Sequence, residues 1–91
     1  MGITFENLLY HEISGLSVAI TESSDETLRG ITGVIVSETK NTFFVRKSGG
    51  KTIQIAKQVA RKIQLGTDEG VCFISGSSLI GKPEDRTARL N

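Results

Sequence analysis

Apolar and polar residues alternate along most of this chain, and the alternation predicts six short strands. Over 16–21, Leu16, Val18 and Ile20 fall on one side and Ser17, Ala19 and Thr21 on the other, which describes a half-buried strand. The densest runs of β-branched and aromatic residues, Thr32–Glu38 and Thr42–Lys47, flank a polar break at Thr39, Lys40 and Asn41. Strand formers on both sides of a break that can hold an asparagine at positive φ predict a tight hairpin. Gly30 and Gly33 stand where a side chain would obstruct a bend or a close backbone approach. Ser48, Gly49 and Gly50 make the next turn, leading to a strand over 51–56 with Ile53 and Ile55 on one side. The alternation breaks at 57–60, as a helical turn or a bulge. It resumes over 61–65 with Ile63 and Leu65 inward, and a sixth strand covers 71–75.

The two ends follow a different grammar. Thr4 can cap a short helix whose Phe5, Leu8, Leu9 and Ile13 share a face, with Gly15 as its stop. Near the other end, Pro83 fits a first helical position, Glu84 and Asp85 the positive end, and Arg86 and Arg89 the negative end. Six short strands joined by brief turns imply one antiparallel sheet. A sheet this small buries its apolar face best by curling on itself, so the expected fold is all-β, a small, strongly bent six-stranded antiparallel barrel with short terminal helices. Val18, Ile20, Ile35, Phe43, Val45, Ile53, Ile55, Ile63 and Phe73 are its expected core.

At 91 residues the chain makes one small domain, 1–91. A single cysteine rules out an intramolecular disulfide and an all-protein structural zinc site that needs several thiolates. No apolar run reaches the length of a transmembrane helix and the charged start lacks a signal-peptide core, so a cytoplasmic protein with no membrane partner is expected.

Net charge is +1, but the charges are segregated. Residues 1–38 hold Glu6, Glu12, Glu22, Asp25, Glu26 and Glu38 against Arg29 alone. Residues 39–67 hold no acid and carry Lys40, Arg46, Lys47, Lys51, Lys57, Arg61 and Lys62. A one-signed stretch of this length makes a local positive field suited to a polyanion; the alternative is a set of solvated lysines that keep strand edges soluble.

Catalytic chemistry is thin. His11 is the only histidine and falls on the expected helix, where a capping or surface role suffices. Cys72 lies between Val71 and Phe73 in a strand, where it reads as a small buried hydrophobe. Residues 76–83 approach the phosphate-loop pattern, but Pro83 occupies the position where that motif needs a hydroxyl for magnesium. No cofactor or metal is expected.

Three blocks carry a family resemblance. His11-Glu12-Ile13-Ser14-Gly15-Leu16, then Gly30 through Thr42 with its Glu38-Thr39-Lys40-Asn41-Thr42, then Pro83-Glu84-Asp85-Arg86 occur in that order. Together they resemble archaeal ribonuclease P protein component 1 over nearly the whole chain. The resemblance implies an Sm-like barrel and a non-catalytic subunit of the ribonucleoprotein that matures tRNA 5′ ends, with the active site in the RNA. It also implies binding to the specificity domain of the ribonuclease P RNA, pairing with a zinc-ribbon protein subunit, contact with other ribonuclease P proteins, and indirect engagement of precursor tRNA.

The charge map and the resemblance together assign RNA contact to Lys40, Asn41, Arg46, Lys47, Lys51, Lys57, Arg61, Lys62 and Arg86. Lys40, Lys57, Arg61 and Lys62 are expected to converge, with Arg46, Lys47 and Lys51 at the opposite end of the sheet. Leu8, Leu9 and Ile13 are either a protein-partner surface or a plug for the barrel mouth. With most phenylalanines assigned to the core, recognition of RNA backbone and shape is expected rather than base stacking. Two rival classes remain open: a self-assembling Sm-like RNA-binding ring, which a homo-oligomeric mass would reveal, and a small enzyme, which activity without RNA would reveal.

Overall fold

The computed structural model describes residues 7–8, 11–82 and 86. Its strands are β1 (Ser17–Glu22), β2 (Thr32–Glu38), β3 (Thr42–Lys47), β4 (Thr52–Ala56), β5 (Lys62–Thr67) and β6 (Gly70–Ile74). Both arms of the central hairpin fall where the alternation places them, and the other four strands lie within two residues of expectation at each end. All pairings are antiparallel, in the order β4-β3-β2-β1-β5-β6. Irregularities between Ile20 and Glu22 and between Ile35 and Ser37 each insert a residue, which bends the strand and reverses the facing of the residues beyond it.

One face of this bent sheet carries Val18, Ile20, Ile35, Phe43, Val45, Ile55, Ile63 and Leu65, all at most 3% exposed. Ala60 and Leu79 from connecting segments complete the core, together with Leu8 and Ile13. Ile53 is half-buried and packs against it. Phe73 does not belong to the core: it is 59% exposed, because its cross-strand partner is Gln64 while Leu65 and Ile63 pair with Cys72 and Ile74. Those two half-buried residues are the ones β6 turns inward.

Hydrogen-bonded closure into a barrel is not part of the sheet: among the described residues, β4 and β6 remain its two edges. The segment after β6 forms a 3-10 turn at Gly76–Leu79. Gly76 N donates to Ala60 O at 2.8 Å and Gly81 N to Lys40 O at 2.7 Å, so this segment crosses to the end of the sheet where β2 meets β3. The 57–60 stretch is a helical turn, with Ala60 N donating to Ala56 O at 3.3 Å. Residues 11–15, where the first helix was expected to end at Gly15, form a bend and a turn instead of a helix. Thr4, Phe5, Leu9 and Pro83, on which the rest of the terminal helices was expected to depend, lie outside the described residues.

The hairpin turn is closed differently from expectation. No non-glycine residue among those described has positive φ, so Asn41 does not serve that way. Thr39 N donates to Thr42 O at 2.9 Å, and Thr42 N donates to Thr39 Oγ1 at 3.1 Å, so a threonine side chain completes the turn. Gly33, by contrast, fulfils the close-approach reading. A Cβ there would overlap the Arg46 carbonyl oxygen and come within 2.8 Å of Val45 Cγ1. Gly33→Ala is therefore expected to destabilise by about 1–3 kcal/mol, since the β2–β3 ladder must shift. Gly49→Ala meets open space and should be near neutral. Urea midpoints of the two variants check this, with a lowered midpoint for the first alone.

Candidate nucleic-acid interface and the ion cluster beneath it

The tip of the central hairpin exposes Lys40 and Asn41 to solvent. What holds that tip is a buried cluster of three charged side chains. Glu38 Oε1 accepts from Lys57 Nζ at 2.9 Å and from Arg86 Nη1 at 3.0 Å, and all three side chains are at most 3% exposed. Glu38 Oε2 accepts from Ile13 N at 2.8 Å. The residue added between Ile35 and Ser37 turns Glu38 inward at the end of β2.

Among the described residues these two cations share one carboxylate, and backbone carbonyls accept further hydrogen bonds from both. Lys57 Nζ donates to Thr39 O at 2.7 Å, Lys40 O at 3.4 Å and Gly81 O at 3.2 Å. Arg86 donates from Nη1 to Leu79 O at 2.9 Å and Gly81 O at 2.6 Å, and from Nη2 to His11 O at 2.8 Å. Among the described residues no buried side-chain nitrogen or oxygen lacks a hydrogen-bond partner. A cluster satisfied to this degree fixes geometry, since ionised hydrogen bonds in a low-dielectric site are strong and directional. Burial pushes the Glu38 carboxyl up, but the hydrogen bonds from Arg86, Ile13 N and Lys57 outweigh it and hold the group below its ordinary 4.5.

Lys57 and Arg86 are thereby removed from the RNA surface to which the sequence assigned them. Each is fully sequestered and committed to Glu38 and carbonyls, so neither can meet a phosphate in this fold. Leu8 and Ile13, 1% and 0% exposed, are core residues and offer no free apolar face to a partner. They plug the sheet; Leu9 lies outside the described residues.

The other candidate cations lie at three places: the hairpin tip, the entry to β5 and the far end of β3. Lys40 lies at the hairpin tip, with exposed Lys82 following the Gly81 that bonds the Lys40 carbonyl. Arg61 and Lys62 are exposed where the 57–60 turn enters β5. At the far end of β3, about 17 Å away by strand rise, Lys47 and exposed Lys51 bracket the next turn through Lys47 N donating to Lys51 O at 2.8 Å. Arg46 points to the outer face, opposite Val34 and Thr52. Lys62 Nζ is 3.9 Å from Glu22 Oε2, a half-exposed pair that contributes little and exchanges readily. No three His, Cys, Asp or Glu residues among those described converge as metal ligands, and no helix there is long and apolar enough to cross a membrane.

The three sequence blocks that carried the family resemblance meet at the ion cluster. His11 and Ile13 come from the first, Glu38, Thr39 and Lys40 from the second, and Arg86 from the third. A model of the family described as ribonuclease P/MRP, subunit p29, matches residues 6–89. Ribonuclease P protein component 1 of Methanocaldococcus jannaschii is 39% identical over 85 residues, covering 92% of this chain and 87% of the relative. The protein of the same name from Thermofilum pendens is 37% identical over 90 residues, covering 98% and 95%. The solved structure of Mth11, a homologue of the human RNase P protein Rpp29, superposes with a TM-score of 0.59 at 35% identity, covering 84% of this chain and 97% of that one.

Proposed function

Because the chain belongs to the ribonuclease P/MRP subunit p29 family, we propose that it acts as a non-catalytic RNA-binding subunit of ribonuclease P. In this reading it binds and stabilises the specificity domain of the ribonuclease P RNA together with a zinc-ribbon protein subunit. Removal of the tRNA 5′ leader is then chemistry of the RNA, and this protein contributes position and rigidity. In this reading the bent six-stranded sheet is the wall of an Sm-like barrel.

The observation that carries this reading is the hairpin tip. Lys40 and Asn41 project into solvent while the carbonyls of Thr39 and Lys40 are tied down from below by Lys57. A cation fixed on a rigid support loses less freedom on meeting a phosphate than one on a mobile loop. Lys82 follows the Gly81 that bonds the Lys40 carbonyl beside this tip, and exposed Arg61, Lys62, Arg46 and Lys51 add positive charge elsewhere on the sheet. Phosphate contacts of this type give affinity without sequence dependence and a marked salt response.

The test is affinity for a specificity-domain transcript against salt concentration, for the wild type and for Lys40→Ala combined with Lys62→Ala. Binding should weaken, and the salt slope should become shallower by somewhat under one unit for each lysine removed. Unchanged affinity and slope would leave both lysines as solvated edge residues and contradict the assignment.

A further inference from the structure

The outer face of the sheet holds a feature that a purely electrostatic binder does not require. Phe73 is 59% exposed and Val71 51%, side by side on the outer face of the edge strand β6. Beside them is a shallow depression of about 240 Å³, lined by Ser17, Ala19, Gln64, Gly66 and Val71 among others. Its floor is low because Gly66 has no side chain, and a Cβ there would collide with Ser17 Oγ. Gln64 pairs directly with Phe73 across β5 and β6. Lys62, two residues before Gln64 on the same face, therefore stands about 7 Å from it. Asp68 and Glu69 belong to the β5–β6 turn, beyond Gly66 and Val71 and away from Lys62.

We propose that this face is a platform for one unpaired nucleobase of the bound RNA. The base stacks on the Phe73 ring beside the depression, Gln64 meets its edge, and Lys62 takes an adjoining phosphate. The proposal rests on the RNA-binding reading above and adds a base contact to it. Three observations favour a nucleotide over a protein side chain. An aromatic ring laid open on a sheet face is the element that single-stranded RNA modules use for stacking, with every base offering a π-face. The amide of Gln64 provides both a donor and an acceptor to a base edge. Lys62 lies about one nucleotide spacing from Gln64 along β5, and Glu22 holds it only at 3.9 Å. Arg46 stands on β3, four strands from β6 in the sheet order, so it serves a different nucleotide.

The experiment uses the full chain and a specificity-domain transcript of ribonuclease P RNA. Affinities and salt slopes are measured for Phe73→Ala, Phe73→Leu and Phe73→Tyr, and the wild-type complex is cross-linked with ultraviolet light and mapped by mass spectrometry. Because Phe73 is exposed, all three variants should fold, which circular dichroism verifies. Phe73→Ala and Phe73→Leu should each bind about 10-fold more weakly with an unchanged salt slope, while Phe73→Tyr stays within about 2-fold of wild type. A nucleotide adduct should map to the peptide containing Phe73. Full affinity in Phe73→Ala overturns the platform, as does full affinity in Phe73→Leu, the behaviour of a merely apolar docking surface. If either occurs while Lys40→Ala with Lys62→Ala still weakens binding, the RNA-binding reading stands and only the platform fails. A wild type that does not bind the transcript overturns both.

Discussion

Glu38→Ala is expected to remove about 3–5 kcal/mol of stability, because it takes from the buried Lys57 and Arg86 the carboxylate they share. That is a large share of the roughly 5–15 kcal/mol that holds a small domain together. The cluster is also the point at which β2, the 57–60 turn, the segment after β6 and the region around Ile13 are joined. Loss of the carboxylate should therefore loosen the whole end of the sheet that displays Lys40. A milder form of the same experiment uses pH. The folded-state pKa of Glu38 lies below its ordinary 4.5. A depressed carboxyl contributes stability that is present above 4.5 and is lost as pH falls through the folded value. Wild-type stability should accordingly drop on acidification below 4.5, and Glu38→Gln, already lowered at neutral pH, should vary less across that window. Urea denaturation at neutral pH and at stepped acidic values checks both statements, and parallel pH profiles for the two proteins would deny Glu38 this role.

Phe43→Ala should be comparably severe, costing about 3–5 kcal/mol. Phe43 is fully buried, pairs with Ile55 on β4 and Glu38 on β2, and is the largest apolar side chain of the core. Phe73 provides the internal control, since the same substitution at a 59% exposed position should cost less than about 1 kcal/mol. Thermal midpoints for the two alanine variants separate them. Equal losses would mean that β3 or β6 faces the other way.

The two phenylalanines also show what the sequence disclosed and what it withheld. In β3 Phe43 and Val45 share one face while Thr42 and Arg46 flank Phe44 on the other, so alternation places Phe43 and Val45 inward. In β6 both faces are apolar, Val71 and Phe73 against Cys72 and Ile74, and period two cannot choose between them. The choice is made by register: Leu65 is inward and pairs with Cys72, which puts Phe73 outside. Assigning Phe73 to the core is also what led to the expectation of RNA recognition without stacking.

The ion cluster was legible in none of its three members. Lys57 stands where the alternation breaks into the 57–60 turn, and its burial just beyond Ile55 shows only in the structure. Read as charge alone, it joined the RNA surface. Glu38 was hidden because an inserted residue between Ile35 and Ser37 reverses the facing at the end of β2, and no local signal announces it. Arg86 was hidden by distance: it reaches Glu38 across 48 positions of sequence, and only the path of the segment after β6 brings them together. The family blocks did include Glu38 and Arg86, though not Lys57, but as a resemblance they carried no account of why those residues meet.

The most direct test of the central claim is recovery of RNA on the affinity-tagged full chain from its source cell, followed by sequencing. Ribonuclease P RNA should dominate the recovered material, and its recovery should fall with rising salt and in the Lys40→Ala, Lys62→Ala variant. Recovery of no structured RNA, or of one unrelated to ribonuclease P, would contradict the account.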